Sequence, residues 1–154
     1  MIVLPVPATF LLPHLPPMVL LDAAIRADEQ SLTAVTRITA DHPFMTRAGV
    51  PIHVGVEMMA QTCGAFVGWQ SLTLGETIRP GLLLGVRQFT ASVPFLHQGE
   101  QIESQATVVM LEEELGVFAC RLLCRDEEIA CAQLSLMRPN TVNTLLEILR
   151  GEDG

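Results

Sequence analysis

Two patterns of apolar and polar positions divide this chain: strand-like alternation on either side, and one long apolar stretch between. Met18–Ile25 and Ser31–Ile38 read as strands, the second because Leu32, Ala34 and Thr36 alternate with Thr33, Val35 and Arg37. Asp28-Glu29-Gln30 supplies the turn, so the pair predicts a hairpin. A loop from Thr39 to about His53 follows, and then Val54 to about Ser71 reads as a helix. Gly64 and Gly68 lie four apart on one face of that helix, where they let a neighbour approach closely. Past Gly75, Pro80 and Gly81, the alternation predicts strands at Leu82–Val93, Gln101–Glu112, Leu115–Arg125 and Glu128–Arg138. The order strand, strand, helix, four strands implies an α+β protein, an antiparallel sheet curled around one very apolar central helix.

The ends add little to this plan. Met1–Leu12 is apolar but contains Pro5 and Pro7 and has neither a basic start nor a small-residue cleavage site, so it reads as an ordered arm and not as a signal peptide. Thr141–Arg150 predicts a short amphipathic helix capped by Asn140 or Thr141. The expected organisation is one domain, 1–154, with residues 1–16 as an N-terminal arm and 140–154 as a tail or short helix.

Composition narrows the function. A chain that is 49% hydrophobic and 17% charged, with a mean hydropathy of +0.40, is expected to bury apolar surface against a partner subunit. The net charge of -8 argues against non-specific nucleic-acid binding. All nine basic residues are arginine, which excludes Schiff-base and pyridoxal phosphate chemistry. Cys63, Cys120, Cys124 and Cys131 sit in apolar runs without zinc-type pairs and read as reduced core residues of a cytoplasmic protein. His14, His42, His53 and His97 form no metal-ligand motif, so no metal is expected. The helix nears membrane-spanning length, but Glu57 and Gln61 favour a buried core helix over a membrane span.

Glu57 carries the most information. A carboxylate within Val54–Trp69 has to be paired, neutralised or used, because burying an unpaired charge is costly. Asp41-His42-Pro43-Phe44 lies upstream, and a carboxyl with an imidazole makes an acid/base pair.

Several runs together resemble one family. Leu11-Leu12-Pro13-His14-Leu15-Pro16-Pro17-Met18-Val19-Leu20-Leu21-Asp22, the His42-Pro43-Phe44 turn, Glu57-Met58-Met59-Ala60-Gln61, Leu83-Leu84-Gly85-Val86-Arg87-Gln88-Phe89, Pro94-Phe95-Leu96-His97-Gln98-Gly99-Glu100 and Ala132-Gln133-Leu134-Ser135-Leu136 occur in the order found in hotdog-fold 3-hydroxyacyl-[acyl-carrier-protein] dehydratases, closest to the branch associated with aryl polyene clusters. The resemblance implies a hotdog fold, a dimer with a continuous sheet, and two sites at the subunit interface. Each site in that family takes a His from one subunit and a carboxylate from the central helix of the other, and His42 and Glu57 match those positions. The spacing of fifteen between them is one longer than is common in the family, and Pro51-Ile52-His53-Val54-Gly55 stands where the family has Pro-Gly.

Water elimination from a 3-hydroxyacyl thioester needs a base at C2 and an acid at the departing hydroxyl. His42 suits the base and Glu57, kept protonated by an apolar wall, the acid. Backbone N–H groups near Gly55 and Val56 could polarise the thioester carbonyl. Gln61 either orients Glu57 or a loop carbonyl, or touches substrate. His53 is a packed or interfacial residue, or a neighbour or substitute for His42. Met58, Met59, Phe66 and Trp69 form core or the wall of an acyl tunnel. Arg79 and Arg87 are solvated charges or contacts to an acidic carrier protein. Glu112-Glu113-Glu114 reads as a solvated turn, and His14 and His97 as loop residues. No cofactor is required. The expected substrate is a carrier-protein or coenzyme A thioester in fatty acid or polyene/polyketide synthesis, and the expected assembly a homodimer or a heterodimer. An acyl thioesterase, a non-catalytic partner subunit of a dehydratase heterodimer and a plain thioester-binding module remain as alternatives.

Overall fold

A helix that is apolar on nearly every side is stable only when other elements cover it. The computed structural model describes residues 2–12, 18–78 and 81–137, and in it the apolar stretch forms helix α1, Val54–Thr73, two residues longer than predicted. Met58, Met59, Cys63 and Phe66 on this helix are fully buried. His53 occupies the N-cap without a capping side-chain hydrogen bond, so packing and not capping holds the start of the helix. The predicted C-terminal helix, His14 and Arg79 lie outside the described residues.

The sheet elements are β1 (Val6–Pro7), β2 (Ala23–Ala27), β3 (Ser31–Arg37), β4 (Val50–Pro51), β5 (Leu82–Ala91), β6 (Phe95–Leu96), β7 (Gln101–Leu111), β8 (Leu115–Cys124) and β9 (Glu127–Met137). Seven of them form one antiparallel sheet in the order β1-β2-β3-β7-β8-β9-β5, and β4 pairs with β6 apart from it. The predicted order of long strands and helix is the observed one. The two-residue strands were not foreseen, since two residues are too few to display a period. The predicted first strand, Met18–Ile25, starts only at Ala23. The backbone before it is committed elsewhere: the Leu20 N–H donates to the Gln61 side chain, and the Asp22 carbonyl accepts the Ala8 N–H.

Alternation places Leu32 and Ala34 of β3, Ile102, Ser104 and Ala106 of β7, and Phe118, Cys120 and Leu122 of β8 in the interior. There they meet α1. Phe66 packs edge-on against Phe118 with ring centroids 5.8 Å apart, and the Thr62 and Ser104 hydroxyls lie 2.6 Å apart. The Cys63 and Cys120 thiols are 3.4 Å apart, unoxidised, and burial pushes the Cys63 thiol well up from its ordinary pKa. A Cβ on Gly55 would lie 2.7 Å from Leu122. The sequence of these contacts, 55 on 122, 63 on 120 and 66 on 118, means that α1 runs antiparallel to β8 with its C-terminal end toward the β7–β8 turn.

The other side of α1 is covered by the N-terminal segment. Gly68 makes this possible, because a Cβ there would sit 2.0 Å from the Leu11 carbonyl oxygen. At the opposite edge of the sheet, β5 leaves Leu83, Leu84 and Val86 exposed, the apolar surface that the composition anticipates for a partner.

Replacing Gly68 with alanine sets two effects against each other: the gain in helix propensity is about 1 kcal/mol, and overpacking against a backbone atom costs about 1–3 kcal/mol. The backbone oxygen cannot swing aside as a side chain would. Gly68→Ala is therefore expected to lower stability in urea denaturation, and a rise in the midpoint would mean that Leu11 does not lie on the helix.

Candidate active site

The first turn of α1 presents Glu57, and one turn later the helix buries Gln61 to 1% exposure. A buried amide needs all its partners. Gln61 has them: its Oε1 accepts the Leu20 N–H at 2.8 Å, and its Nε2 donates to the Met18 carbonyl at 2.7 Å and to Glu57 Oε1 at 3.0 Å. The orienting role expected for Gln61 is thus the one its contacts support. Because Glu57 Oε1 is already an acceptor, a proton carried by this carboxyl belongs on Oε2.

Glu57 itself is exposed in the single chain. The expectation of an apolar wall around it fails here, and the reason is geometric. The large side chains of α1 turn toward the sheet, while Glu57 shares its face with Ala60, Gly64 and Val67, beside open space. The backbone donors expected at Gly55 and Val56 are also spent within the chain, on the carbonyls of Ile52 at 2.8 Å and His53 at 3.1 Å. His53 stands exposed at the helix start, and Arg87 is exposed on β5.

His42 lies in the loop between β3 and β4, which is built of successive tight turns. The His42 N–H bonds the Thr39 carbonyl, the Met45 N–H bonds the His42 carbonyl, and Thr46 and Gly49 bridge to each other. The Phe44 N–H donates to His42 Nδ1 at 3.1 Å, which puts the proton of the neutral ring on Nε2. Nε2 is buried with no hydrogen-bond partner among the described residues. Burial depresses the His42 pKa, and the nearby Asp22 and Asp41 carboxylates oppose that shift. Asp41 is held low by the Thr39 hydroxyl. Asp22, far from the loop in sequence, gave no signal of its proximity to His42.

Within one chain, no hydrogen bond or ion pair joins His42 to Glu57 among the described residues. Glu57 instead opens onto a cavity of about 260 Å³ that His42 does not line. One stripe of α1 forms its floor, and Leu12, Leu83, Leu115, Phe118 and Leu136 contribute apolar walls. Met58, Met59, Phe66 and Trp69, expected as core or as tunnel wall, do not line it and pack in or against the core; the sheet takes the large side chains and leaves the small ones to the cavity. Glu112-Glu113-Glu114, expected to be only a solvated turn, borders this space as well. Among the described residues no set of three or more His, Cys, Asp or Glu side chains is placed to hold a metal ion, and no helix is long and apolar enough to cross a membrane.

The sequence matches the ApeP-like family, described as ApeP dehydratase, over residues 6–147. The chain belongs to this family. It is a hotdog-fold dehydratase-type lyase of the aryl polyene branch. Among solved structures it is similar to the dehydratase heterocomplex ApeI:P from Xenorhabdus doucetiae, with 28% identity, a TM-score of 0.88, and coverage of 93% of this chain and 97% of that one. The E. coli PaaI protein of the phenylacetic acid degradation operon matches at 13% identity and a TM-score of 0.59, over 75% of this chain and 81% of that one. A hypothetical thioesterase from Streptococcus pneumoniae with coenzyme A matches at 9% identity and a TM-score of 0.59, over 75% and 84%. These last two share the fold alone.

The Gln61 bonds predict that Gln61→Leu, which strands the Leu20 N–H and the Met18 carbonyl, costs about 2 kcal/mol or more in urea denaturation. A cost under about 0.5 kcal/mol would mean that water reaches both groups. The depressed His42 pKa has a definite sign. The unfolded chain takes up that proton first as pH falls, so stability declines as pH drops through the ordinary value of 6.5 and is unaffected by this group above it. Denaturation midpoints between about pH 8 and pH 5 should fall less steeply for His42→Gln than for the wild type. Equal slopes would assign the loss to other groups.

Proposed function

We propose that this dehydratase eliminates water from 3-hydroxyacyl thioesters, carried on an acyl carrier protein or coenzyme A, to give 2-enoyl thioesters in fatty acid or polyene synthesis in the cytoplasm. The observation that carries this reading is the Glu57–Gln61 pair at the edge of a cavity with apolar walls, in a chain of dehydratase family. His42 removes the C2 proton, the C3–O bond breaks, and the hydroxyl leaves as water with the proton from Glu57 Oε2. The two side chains then differ by one proton from their starting state, and solvent exchange restores them.

Assembly is part of this reading. An imidazole and a carboxyl that do not meet within one chain are brought together when the His42 of one subunit faces the Glu57 of another. The exposed apolar edge strand β5 supports such pairing. For His42 to act as a base its ring must leave the Phe44 N–H. That bond is worth about 1 kcal/mol net, and the stranded Nε2 already costs about 1–3 kcal/mol, so the folded loop does not resist the turn. Burial by the partner would also give Glu57 the apolar surroundings that a protonated acid needs.

A second reading has its own support. His42 offers no free lone pair in the single chain, and the solved relative at 28% identity is from a heterocomplex, which together favour a subunit that completes its site with an unlike partner. Mass spectrometry of a 3-hydroxyacyl carrier-protein thioester, incubated with the purified chain and with His42→Ala and Glu57→Gln, separates these. Loss of one water with the wild type, and about a hundredfold slower loss with either variant, supports the homodimeric dehydratase. Turnover only after a second hotdog subunit is added supports the heterodimer, and release of free acid would overturn both.

A further inference from the structure

The face of α1 beside the cavity repeats at Glu57, Ala60, Gln61, Gly64, Val67 and Gln70. This is one helical stripe. The thirteen steps from Glu57 to Gln70, at about 1.5 Å each, give the stripe a length of about 20 Å, with about 5 Å between successive turns. Since α1 runs toward the β7–β8 turn, the space starts beside the Glu57 carboxyl and ends at Glu112-Glu113-Glu114. The side chains along it are small at two consecutive rungs, Ala60 and Gly64, and larger at Val67. Gly64 stands at its midpoint. A Cβ added there would come within 3.2 Å of Leu12 Cδ2, so Leu12 of the N-terminal segment packs onto the helix at this position and forms one wall of the cavity there.

We propose that this stripe is a chain-length gauge for the acyl substrate, with Gly64, where Leu12 closes on the helix, as the narrow point at its middle and Ala60 and Val67 as the rungs before and after it. The inference rests on the dehydratase reading for what enters the channel, and adds which residues set how far it goes. With the reacting C2 and C3 held at Glu57, an unbranched apolar tail lies along the stripe toward the acidic turn. Each methylene the channel accommodates improves binding about fourfold, so a block on one rung penalises only chains long enough to reach it.

The test is a ladder of blocks in the full chain: Ala60→Leu, Gly64→Leu and Val67→Phe. Each is assayed for kcat/KM on 3-hydroxyacyl thioesters of four, eight, twelve and sixteen carbons, together with any partner subunit that turnover requires. Binding of the matching 3-hydroxyacyl pantetheine amides is titrated in parallel. The expected result is a cut-off that moves outward in the order Ala60, Gly64, Val67. In Gly64→Leu the preference for twelve carbons over four should fall at least tenfold, by about fourfold per excluded methylene. Should Gly64→Leu fail to fold, the order of the two flanking variants decides the same question. Equal losses at every chain length, or wild-type binding that does not strengthen with length, would overturn the gauge. Length-ordered binding without dehydration by any assembly keeps the gauge and removes the dehydratase reading instead.

Discussion

The cover over α1 is the constraint from which the rest of the molecule follows. A helix with so little polar surface has no stable exposed face, and the chain solves this with two unlike layers. The sheet takes the bulky side chains, Met58, Met59 and Phe66, and fills the interior with β3, β7 and β8. The N-terminal segment takes the glycine side, where Gly68 lets the Leu11 backbone touch the helix. Along the stripe between them the two layers leave a gap, walled by Leu12 on one side and Phe118 on the other, and there the cavity and Glu57 are found. The polar tie across this arrangement is Gln61, which spans from Glu57 to the Met18–Leu20 backbone and so links the position of that carboxyl to the closure of the N-terminal cover.

Period and composition made most of this legible. Strand alternation survives in β7, β8 and β9 because each has one face on α1 and one away from it, as in β8 with Phe118, Cys120 and Leu122 inward. The helix was equally plain, but its inward face was not: a segment apolar on all sides carries no phase from which to tell Met58 from Ala60. For that reason the sequence leaves Met58, Met59, Phe66 and Trp69 open between core and tunnel wall, and does not show that Glu57 faces outward. The Met18–Asp22 run reads as strand because a backbone bonded to a glutamine side chain keeps the same apolar pattern as one bonded to a neighbour strand. His42 was identifiable as a candidate, whereas its bond to Phe44 and the charge of Asp22 depend on loop geometry that no periodicity encodes.

The two candidate catalytic groups are prepared differently. Glu57 is anchored on a rigid helix by a neighbour that is itself fully bonded, so its position costs nothing at the moment of reaction. His42 sits in a turn with one nitrogen engaged and the other stranded, a state held in place by the surrounding loop and released at little cost. On the proposed reading, one fixed group and one poised group would be brought into register by the approach of another surface and not by the isolated chain.

The edge strand β5 has a consequence for descent. Hydrogen bonds along a strand edge are made by backbone and read no sequence, so the edge accepts a like or an unlike neighbour with equal ease. Discrimination falls to the few side chains that stand on it, Leu83, Leu84, Val86 and Arg87. After a gene duplication, a handful of substitutions on this one strand would be enough to turn a self-pairing protein into one half of a mixed pair, without disturbing the helix, its cover or the sheet.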